Sequence, residues 1–132
     1  MEHIIKTNKQ DEMIDITNII QDELRNSNIK SGLAIVFIPH TTAGITINEN
    51  VDPDVVYDML GILRKLVPED VNYRHLEGNS HAHLKASIVG SSCTIIIENG
   101  RLKLGTWQGV YFCEFDGPRA RRFYTKFIEQ AL

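Results

Sequence analysis

The chain has 132 residues with a formal net charge of −3 when its histidines are neutral, and 42% of its residues are hydrophobic. This size favours one domain with a substantial hydrophobic core, and the weakly acidic charge argues against general nucleic-acid binding. No apolar run approaches the ~20 residues that span a bilayer, so we expect a cytoplasmic protein without membrane contact. Cys93 and Cys113 lie in apolar runs, which predicts buried thiols in a reducing compartment rather than a disulfide.

Strand and helix patterns alternate through the first half of the chain. Short strands are predicted at Ile4–Thr7 and Met13–Ile16. A helix is expected over Thr17–Asn26, with its threonine as the N-cap. The continuous apolar run at Leu33–Ile38 predicts a central strand, and Ile45–Asn48 continues the sheet. The expected buried stripe of the helix consists of Ile16, Ile19, Ile20 and Leu24.

The clearest helix prediction covers Pro53–Leu66. Asp52 is typical of an N-cap, and a proline at the first helical position has no amide hydrogen to lose. After a polar loop, Ala82–Val89 alternates as a strand would, yet Ser80 before it and Gly90 after it are typical of helix ends, which favours a short helix. The expected buried face of the Pro53–Leu66 helix consists of Val56, Met59, Leu60, Leu63 and Leu66.

Strand patterns dominate the last third of the chain. Asn99-Gly100 is the strongest hairpin signal, because both residues tolerate the positive φ of a type I′ turn. Strands and helices together predict a single α+β domain over residues 1–132, with a mostly antiparallel sheet and two to three helices. The predicted strands are Cys93–Glu98, Arg101–Leu104, Thr106–Glu114 and Arg122–Ile128.

Four of the five histidines lie in two polar, glycine-containing segments. His40 precedes a Thr-Thr-Ala-Gly run, whereas His75, His81 and His83 lie within nine residues, with Glu77 between them. Neutral imidazole is a common ligand of transition metals, and several imidazoles suit zinc better than magnesium. These segments therefore predict a metal or catalytic site, and solvated loop histidines are the alternative.

Carboxylates provide the second set of candidates. Asp54 and Asp58 lie four residues apart, hence on one face of the predicted helix, and Glu49 lies shortly before it. Capping and the helix dipole account for Asp52 and Asp54, but the dipole weakens beyond the first turn. Glu49 and Asp58 are therefore the predicted catalytic carboxylates, with a purely structural role as the alternative.

Basic side chains near glycine-containing turns form the third set. It comprises Lys85, Arg119, Arg121 and Arg122. Guanidinium groups bind phosphate in a bidentate manner, and Lys85 and Arg119 are the predicted phosphate-binding residues. The alternative is a solvated basic face on the last strand, which also protects a sheet edge.

Long, specific motifs run through the whole chain. They are His40–Asn50, Asp52–Val55, Glu77–Ser80, Ala82–Ser87, Gly90–Ser92 and Leu104–Gly109. In these motifs the chain resembles the YjbQ family. The resemblance implies a compact α+β fold, a homotrimer, and the activity by which members are often described, secondary thiamine-phosphate synthesis. His40, His75 and His83 match histidine positions of the family and are the predicted metal ligands. Relatives commonly carry a small or apolar residue in place of His81, which we expect to be an exposed loop residue.

The three sets of side chains and the resemblance together predict a function. We expect a metal-binding enzyme that acts on a phosphorylated small molecule, including thiamine-phosphate synthase-like transfer with release of diphosphate. The expected cofactor is a divalent metal, and the histidine ligands favour zinc. Magnesium is the alternative if the substrate carries a diphosphate group. A histidine-bound metal with an open position also suits a metal-dependent hydrolase, and a closed coordination sphere suits a non-catalytic metal- or ligand-binding protein.

Overall fold

The computed structural model describes residues 1–131, in which strands and helices alternate. The helices are α1 (Thr17–Ser27), α2 (Pro53–Leu66) and α3 (Ser80–Val89). The strands are β1 (Glu2–Lys6), β2 (Glu12–Asp15), β3 (Gly32–Phe37), β4 (Ala43–Glu49), β5 (Ser92–Glu98), β6 (Arg101–Leu102), β7 (Gln108–Glu114) and β8 (Ala120–Glu129).

The strands form two antiparallel sheets. The larger sheet has the order β1-β8-β3-β5-β6, and the smaller sheet has the order β2-β7-β4. β3 is the central strand of the larger sheet, as its apolar run predicts, and Ala34 pairs with Phe127 on one side and Ile95 on the other. The predicted antiparallel α+β fold is confirmed. The strand patterns alone did not indicate the division into two sheets.

Two apolar layers hold these elements together. The first lies between the sheets, where Val36 and Phe123 of the larger sheet pack with Ile45 and Phe112 of the smaller sheet. Leu24 of α1 joins this layer and is completely buried. The second layer lies between the smaller sheet and the helices α2 and α3. It contains Ala82, Ala86, Tyr111, Cys113 and Phe115, with partly buried side chains of α2 packed against it.

Local sequence signals correctly located the ends of two elements. The carboxylate of Asp52 accepts the amide N–H of Asp54 at 2.9 Å, and Pro53 opens α2. Asn99 and Gly100 have φ values of 53° and 73°, so both residues adopt the left-handed conformation that the hairpin between β5 and β6 requires. The helical interpretation of Ala82–Val89 is also confirmed, because α3 covers these residues.

Three details of the helix predictions are wrong. Ile16, not Thr17, occupies the N-cap position of α1 and provides no side-chain cap. The hydroxyl of Thr17 instead accepts the amide N–H of Val110 at 2.8 Å, which ties the start of α1 to β7. Ile19 is 38% exposed because it faces away from the layer that contains Leu24. Leu66 is 70% exposed at the last turn of α2, so neither residue belongs to a buried stripe. The rest of the predicted face of α2 is only partly buried, because this helix packs on the edge of the second apolar layer; it consists of Val56, Met59, Leu60 and Leu63.

The prediction of two free thiols is confirmed, but only one of the two cysteines is fully buried. Cys93 is partly buried, Cys113 is buried, and both are free thiols. Burial raises the pKa of Cys93 to about 11 and that of Cys113 to about 12. Both groups are therefore protonated and poorly nucleophilic at neutral pH. Separately, no helix within residues 1–131 has the length and apolar composition needed to cross a bilayer.

Candidate active site

Two loops are fastened together beside the start of β4. The amide N–H of Ile38 donates to the carbonyl oxygen of Ser91 at 2.7 Å, and the N–H of Ile45 donates to the carbonyl oxygen of Gly90 at 3.0 Å. Gly44 allows this approach, since a Cβ atom there would lie 2.6 Å from the Gly90 carbonyl oxygen. The loop between β3 and β4 is therefore held against the loop that follows α3.

A cavity of about 440 Å³ lies where these loops meet α3. His40 of the first loop and His83 of the first turn of α3 both line it, and we call it the His40–His83 cavity. Its volume lies within the range of small-molecule sites. The hydroxyl groups in its lining can donate hydrogen bonds to an anionic ligand. The other lining residues are Thr41, Ala43, Ala86, Ser87, Gly90 and Ser91.

A backbone hydrogen bond fixes the orientation of His40. The amide N–H of Arg122 donates to Nε2 of His40 at 3.0 Å, so the proton of the neutral ring lies on Nδ1. Burial and the positive charges of Arg121 and Arg119 lower the pKa of His40 below its usual 6.5, although the negative charge of Glu114 acts in the opposite direction. The ring is therefore neutral at pH 7 and offers a hydrogen-bond donor at Nδ1.

A buried ion pair lies close to His40. Arg121 donates to Glu114 through Nε at 2.8 Å and through Nη2, and Nη2 also donates to the hydroxyl of Thr42 at 2.8 Å. The Thr7 hydroxyl at 2.8 Å and the Asp116 amide at 3.0 Å also donate to Glu114. Burial alone would raise the pKa of Glu114, but these hydrogen bonds and the Arg121 charge lower it below its usual 4.5. The ionised pair thus links the His40 loop to β7 and β8.

Sequence reasoning missed this network. It grouped Arg121 with other basic residues and did not consider Glu114 as its partner. Alternation along β8 was the signal that could have found the pair, because Arg121 shares the buried face with Phe123 and Thr125. The neighbouring Arg122 points to the other, exposed face.

Arg119 lies beside the network but remains exposed. Its guanidinium donates from Nε to the carbonyl oxygen of Asp116 at 2.9 Å and from Nη2 to the Asp116 carboxylate at 3.1 Å. Within residues 1–131 its Nη1 makes no hydrogen bond, and its charge acts on His40. Arg119 does not itself line the His40–His83 cavity, but its exposed guanidinium lies near enough to His40 for its charge to act there.

His75 and His83 form a close pair. Their ring centroids lie 5.5 Å apart in an edge-to-face arrangement. Two imidazoles on one tetrahedral zinc ion, with Zn–N distances of about 2.0–2.1 Å, place their centroids roughly 5 Å apart. In the described part of the chain, no three His, Cys, Asp or Glu side chains come together as a metal-binding group. His40 is thus not brought into a three-histidine cluster, and its Nε2 is already occupied by the Arg122 amide. Metal binding by the three histidines stays a prediction.

The prediction of an exposed loop position for His81 is wrong. His81 lies in α3 and is only 5% exposed. Its Nε2 lies 3.3 Å from the Gln10 amide nitrogen and 3.7 Å from the Glu69 carboxylate, and its Nδ1 has no partner in residues 1–131. The two-residue offset on a helix turns His81 about 200° away from His83, so the buried ring faces the protein interior.

Lys85 is also placed in the interior. Its side chain is completely buried, its ammonium contacts the Asp11 carboxylate at 2.7 Å, and it lies 5.9 Å from the centroid of the Phe115 ring. Four residues after His81, it shares the inward face of α3. Lys85 and Arg119 are therefore not brought together at one surface, and phosphate binding by Lys85 would require the buried pair to open.

The two predicted carboxylates lie apart from His40. Glu49 ends β4, whereas the His40 loop precedes that strand, and the length of Ala43–Glu49 at ~3.3 Å per residue separates its ends by roughly 20 Å. Asp58 is exposed on α2 and lines a different cavity of about 830 Å³, together with Lys9 and residues of α2. A single chain therefore does not unite these carboxylates with the His40–His83 cavity.

Fold and site together define a class of protein, a two-sheet α+β domain with histidine and hydroxyl side chains around a cavity of small-molecule size. Residues 1–130 match the family described as UPF0047 protein YjbQ-like, and the chain belongs to this family. The membership that the sequence motifs predict is confirmed.

Relatives from distant organisms match nearly the whole chain. UPF0047 protein YugU of Bacillus subtilis is 58% identical over 125 residues, which cover 94% of this chain and 95% of YugU. A UPF0047 protein of Methanocaldococcus jannaschii is 56% identical over 124 residues, 94% of this chain and 90% of the relative. The crystal structure of a YjbQ/UPF0047 family protein from Clostridium acetobutylicum is similar with a TM-score of 0.95 and 58% identity, over 97% of this chain and 99% of that one.

Proposed function

We propose that this protein is an enzyme that binds a phosphorylated small molecule in the His40–His83 cavity. The observation that carries the proposal is the meeting of two imidazoles and several hydroxyl groups in one space of small-molecule size. Arg119 adds a positive charge beside His40. Guanidinium and oriented hydrogen-bond donors are the groups that recognise phosphate oxygens.

The side chains suit different roles toward such a ligand. Neutral His40 donates a hydrogen bond from Nδ1, because its Nε2 accepts the Arg122 amide. Arg119 neutralises phosphate charge through its unoccupied Nη1. The imidazole of His83 makes no hydrogen bond within residues 1–131, so it is the group best placed to exchange a proton with the substrate or to bind a metal.

Two reactions follow from these roles. In synthase-like transfer, the bond from carbon to the diphosphate oxygen breaks, the diphosphate leaves with the electron pair, and a ring nitrogen of the second substrate forms a new bond to that carbon. Hydrogen bonds and positive charge stabilise the departing diphosphate. In hydrolysis, water attacks phosphorus and the alcohol leaves. The named alternative is a protein that binds the phosphorylated ligand without turnover.

We propose that His75 and His83 hold a divalent metal, zinc by ligand type. Their 5.5 Å centroid separation is close to that of two imidazoles on one ion. The pair fills two coordination positions. Solvent, substrate or side chains of other copies in the expected homotrimer would fill the remaining positions. Such an ion, when bound, supplies Lewis acidity toward a phosphate oxygen.

Elemental analysis of protein purified without added metal tests this metal site. We expect His75→Ala and His83→Ala to lose bound metal, because each removes one imidazole of the pair. His3→Gln is the matched control, since His3 contacts Glu23 in another part of the fold. Full metal retention in both alanine variants contradicts the assignment.

A substrate screen tests the reaction. It should include generic phosphomonoesters and the pair of a pyrimidine diphosphate with a thiazole phosphate. A joined product with diphosphate release supports transfer, whereas phosphate release alone supports hydrolysis. We expect Arg119→Gln to weaken binding of the phosphorylated compound about tenfold, as for loss of one charge-assisted contact, and Lys103→Gln, which removes a charge paired with Glu98, to have no effect. Saturable binding without turnover identifies a binding protein, and absence of binding overturns the proposal.

We also propose that the outer face of the larger sheet forms the contacts of a homotrimer. Leu33 pairs with both Ile128 and Ile96, and Phe37 pairs with Tyr124, so these side chains share one face. Each is at least 38% exposed, and an apolar patch of this extent is typical of an interaction surface. The double variant Phe37→Asp/Ile96→Asp should dissociate the trimer in light scattering, and Ile62→Asp on α2 should not. A monomeric wild-type protein contradicts the assembly.

A further inference from the structure

A second cavity, of about 490 Å³, lies between the end of α1 and the β5–β6 hairpin. It shares no lining residue with the His40–His83 cavity. Its charged lining residues are Arg25, Lys30 and Arg101, and no carboxylate lines it within the described chain. Side-chain amides and the partly buried aliphatic residues Ile29 and Leu104 complete the walls. The cavity therefore combines positive charge, hydrogen-bonding groups and an apolar surface.

Hydrogen bonds hold its two walls at a fixed separation. The Gln21 side chain donates from Nε2 to the carbonyl oxygen of Gly100 at 3.2 Å and accepts the amide N–H of Leu102 at 3.0 Å. The amide N–H of Gly100 donates to the carbonyl oxygen of Lys30 at 3.0 Å. Helix and hairpin are thus braced against each other, so a ligand meets a cavity that is already formed.

Two of the three cations are available to a ligand. Arg25 is paired with Asp22 at 2.7 Å. Lys30 and Arg101 take part in no ion pair among residues 1–131. The Lys30 side chain reaches over Gly100, where its Nζ would lie 3.5 Å from a Cβ atom, so both cations stand at the hairpin side of the cavity. Two unpaired cations facing one cavity favour an anion between them.

We propose that this cavity binds a phosphate ester of nucleoside monophosphate size. Its phosphate pairs with Lys30 and Arg101, its polar groups bond to the side-chain amides, and its flat ring contacts the partly exposed aliphatic side chains of Ile29 and Leu104. The volume of about 490 Å³ accommodates such a molecule. This site is separate from the proposed reaction in the His40–His83 cavity.

A two-dimensional amide NMR titration with AMP, adenosine and inorganic phosphate at fixed ionic strength tests the proposal. AMP should give saturable shifts at the amides of Asn28–Lys30 and Asn99–Leu102, with higher affinity than inorganic phosphate, and adenosine should bind far more weakly. The double variant Lys30→Gln/Arg101→Gln should bind AMP about tenfold more weakly, since two charge contacts are lost.

Two controls separate this site from general charge effects. Lys103→Gln removes a charge from the same hairpin, but Lys103 pairs with Glu98 and does not line the cavity, so AMP affinity should stay unchanged. His83→Ala should also leave it unchanged. An equal loss in Lys103→Gln, equal affinity for AMP and inorganic phosphate, or AMP shifts confined to the His40–His83 cavity would each overturn the proposal.

Discussion

The buried ion pairs and the exposed pair of Arg119 with Asp116 use the same residue types in opposite ways. Arg121 with Glu114 and Lys85 with Asp11 satisfy each other in the interior, where none of these side chains is more than 5% exposed. Arg119, at the surface, keeps part of its guanidinium unoccupied. Burial and partner, rather than residue type, thus distinguish charges that hold the fold from charges that can meet a ligand.

The largest expected effect comes from breaking the pair beside His40. Glu114→Gln keeps the shape of the side chain but leaves the Arg121 charge buried without its counterion. We expect the free energy of unfolding to fall by about 3–5 kcal/mol, as measured by urea denaturation at pH 7. Replacing both partners, as Glu114→Leu with Arg121→Met, should cost less than Glu114→Gln alone. Unchanged stability of the single variant would show that the pair does not hold the fold.

Lys85 and Arg119 sharpen the comparison because sequence reasoning gave them the same role. Lys85→Met leaves Asp11 unpaired and should destabilise the fold by about 3 kcal/mol. Arg119→Gln removes an exposed charge and should change stability by less than ~0.5 kcal/mol. Thermal and urea unfolding of both variants provide the measurement. A larger loss of stability in Arg119→Gln than in Lys85→Met would contradict the assignment of Lys85 as the cation that holds the fold.

Acid unfolding tests the buried pair of Glu114 and Arg121 through protonation of the Glu114 carboxylate. The folded state lowers the pKa of Glu114 below 4.5, so its stabilising contribution is present above pH 4.5 and is lost as the pH falls through the folded pKa. Wild-type stability should therefore fall below pH 4.5 with an extra slope of up to ~1.4 kcal/mol per pH unit from this one group. Glu114→Gln should lack that component, and identical slopes would contradict the assignment.

The smallest expected effect is a shift in the titration of His40. Its NMR titration midpoint should lie below 6.5, since burial and the arginine charges disfavour the protonated ring. Arg119→Gln removes one of these charges and should raise the midpoint, whereas Arg25→Gln, on α1, should leave it unchanged. Because the pKa is lowered on folding, protonation of His40 as the pH falls below 6.5 also favours the unfolded state. A midpoint insensitive to Arg119 would place this arginine outside the site.

Much of the fold was predictable because its signals are local. The Asp52-Pro53 start of α2 and the Asn99-Gly100 turn depend on the conformations of neighbouring residues, and both were correctly located. Pattern separated most strands from helices, end signals decided the helical interpretation of Ala82–Val89, and the family motifs predicted the fold class. The division of the strands between two sheets depends on pairings between distant segments. Hydrophobic alternation within one strand does not identify the strand with which it pairs.

The site was less predictable for the same reason. Lys85 looked like a surface cation because its partner, Asp11, lies 74 residues away in the chain. His81 looked like part of a loop because it lies before the predicted helix of Ala82–Val89, whereas α3 already begins at Ser80. His75 and His83, eight residues apart, were correctly expected to lie close together. Proximity within one segment could be predicted, whereas burial required knowledge of the packing partners.

The shallow packing of α2 has a consequence for the motions of the protein. None of its 14 residues is buried, whereas α1 contributes the buried Ile20 and Leu24. Segments with few buried contacts open at lower free energy than the rest of a domain, so amide hydrogens of α2 should exchange faster than those of α1. Residues of α2 form the cavity that Asp11 lines. Each opening of α2 therefore admits water to the Asp11–Lys85 pair, and the fluctuation of one helix sets how often that pair is hydrated.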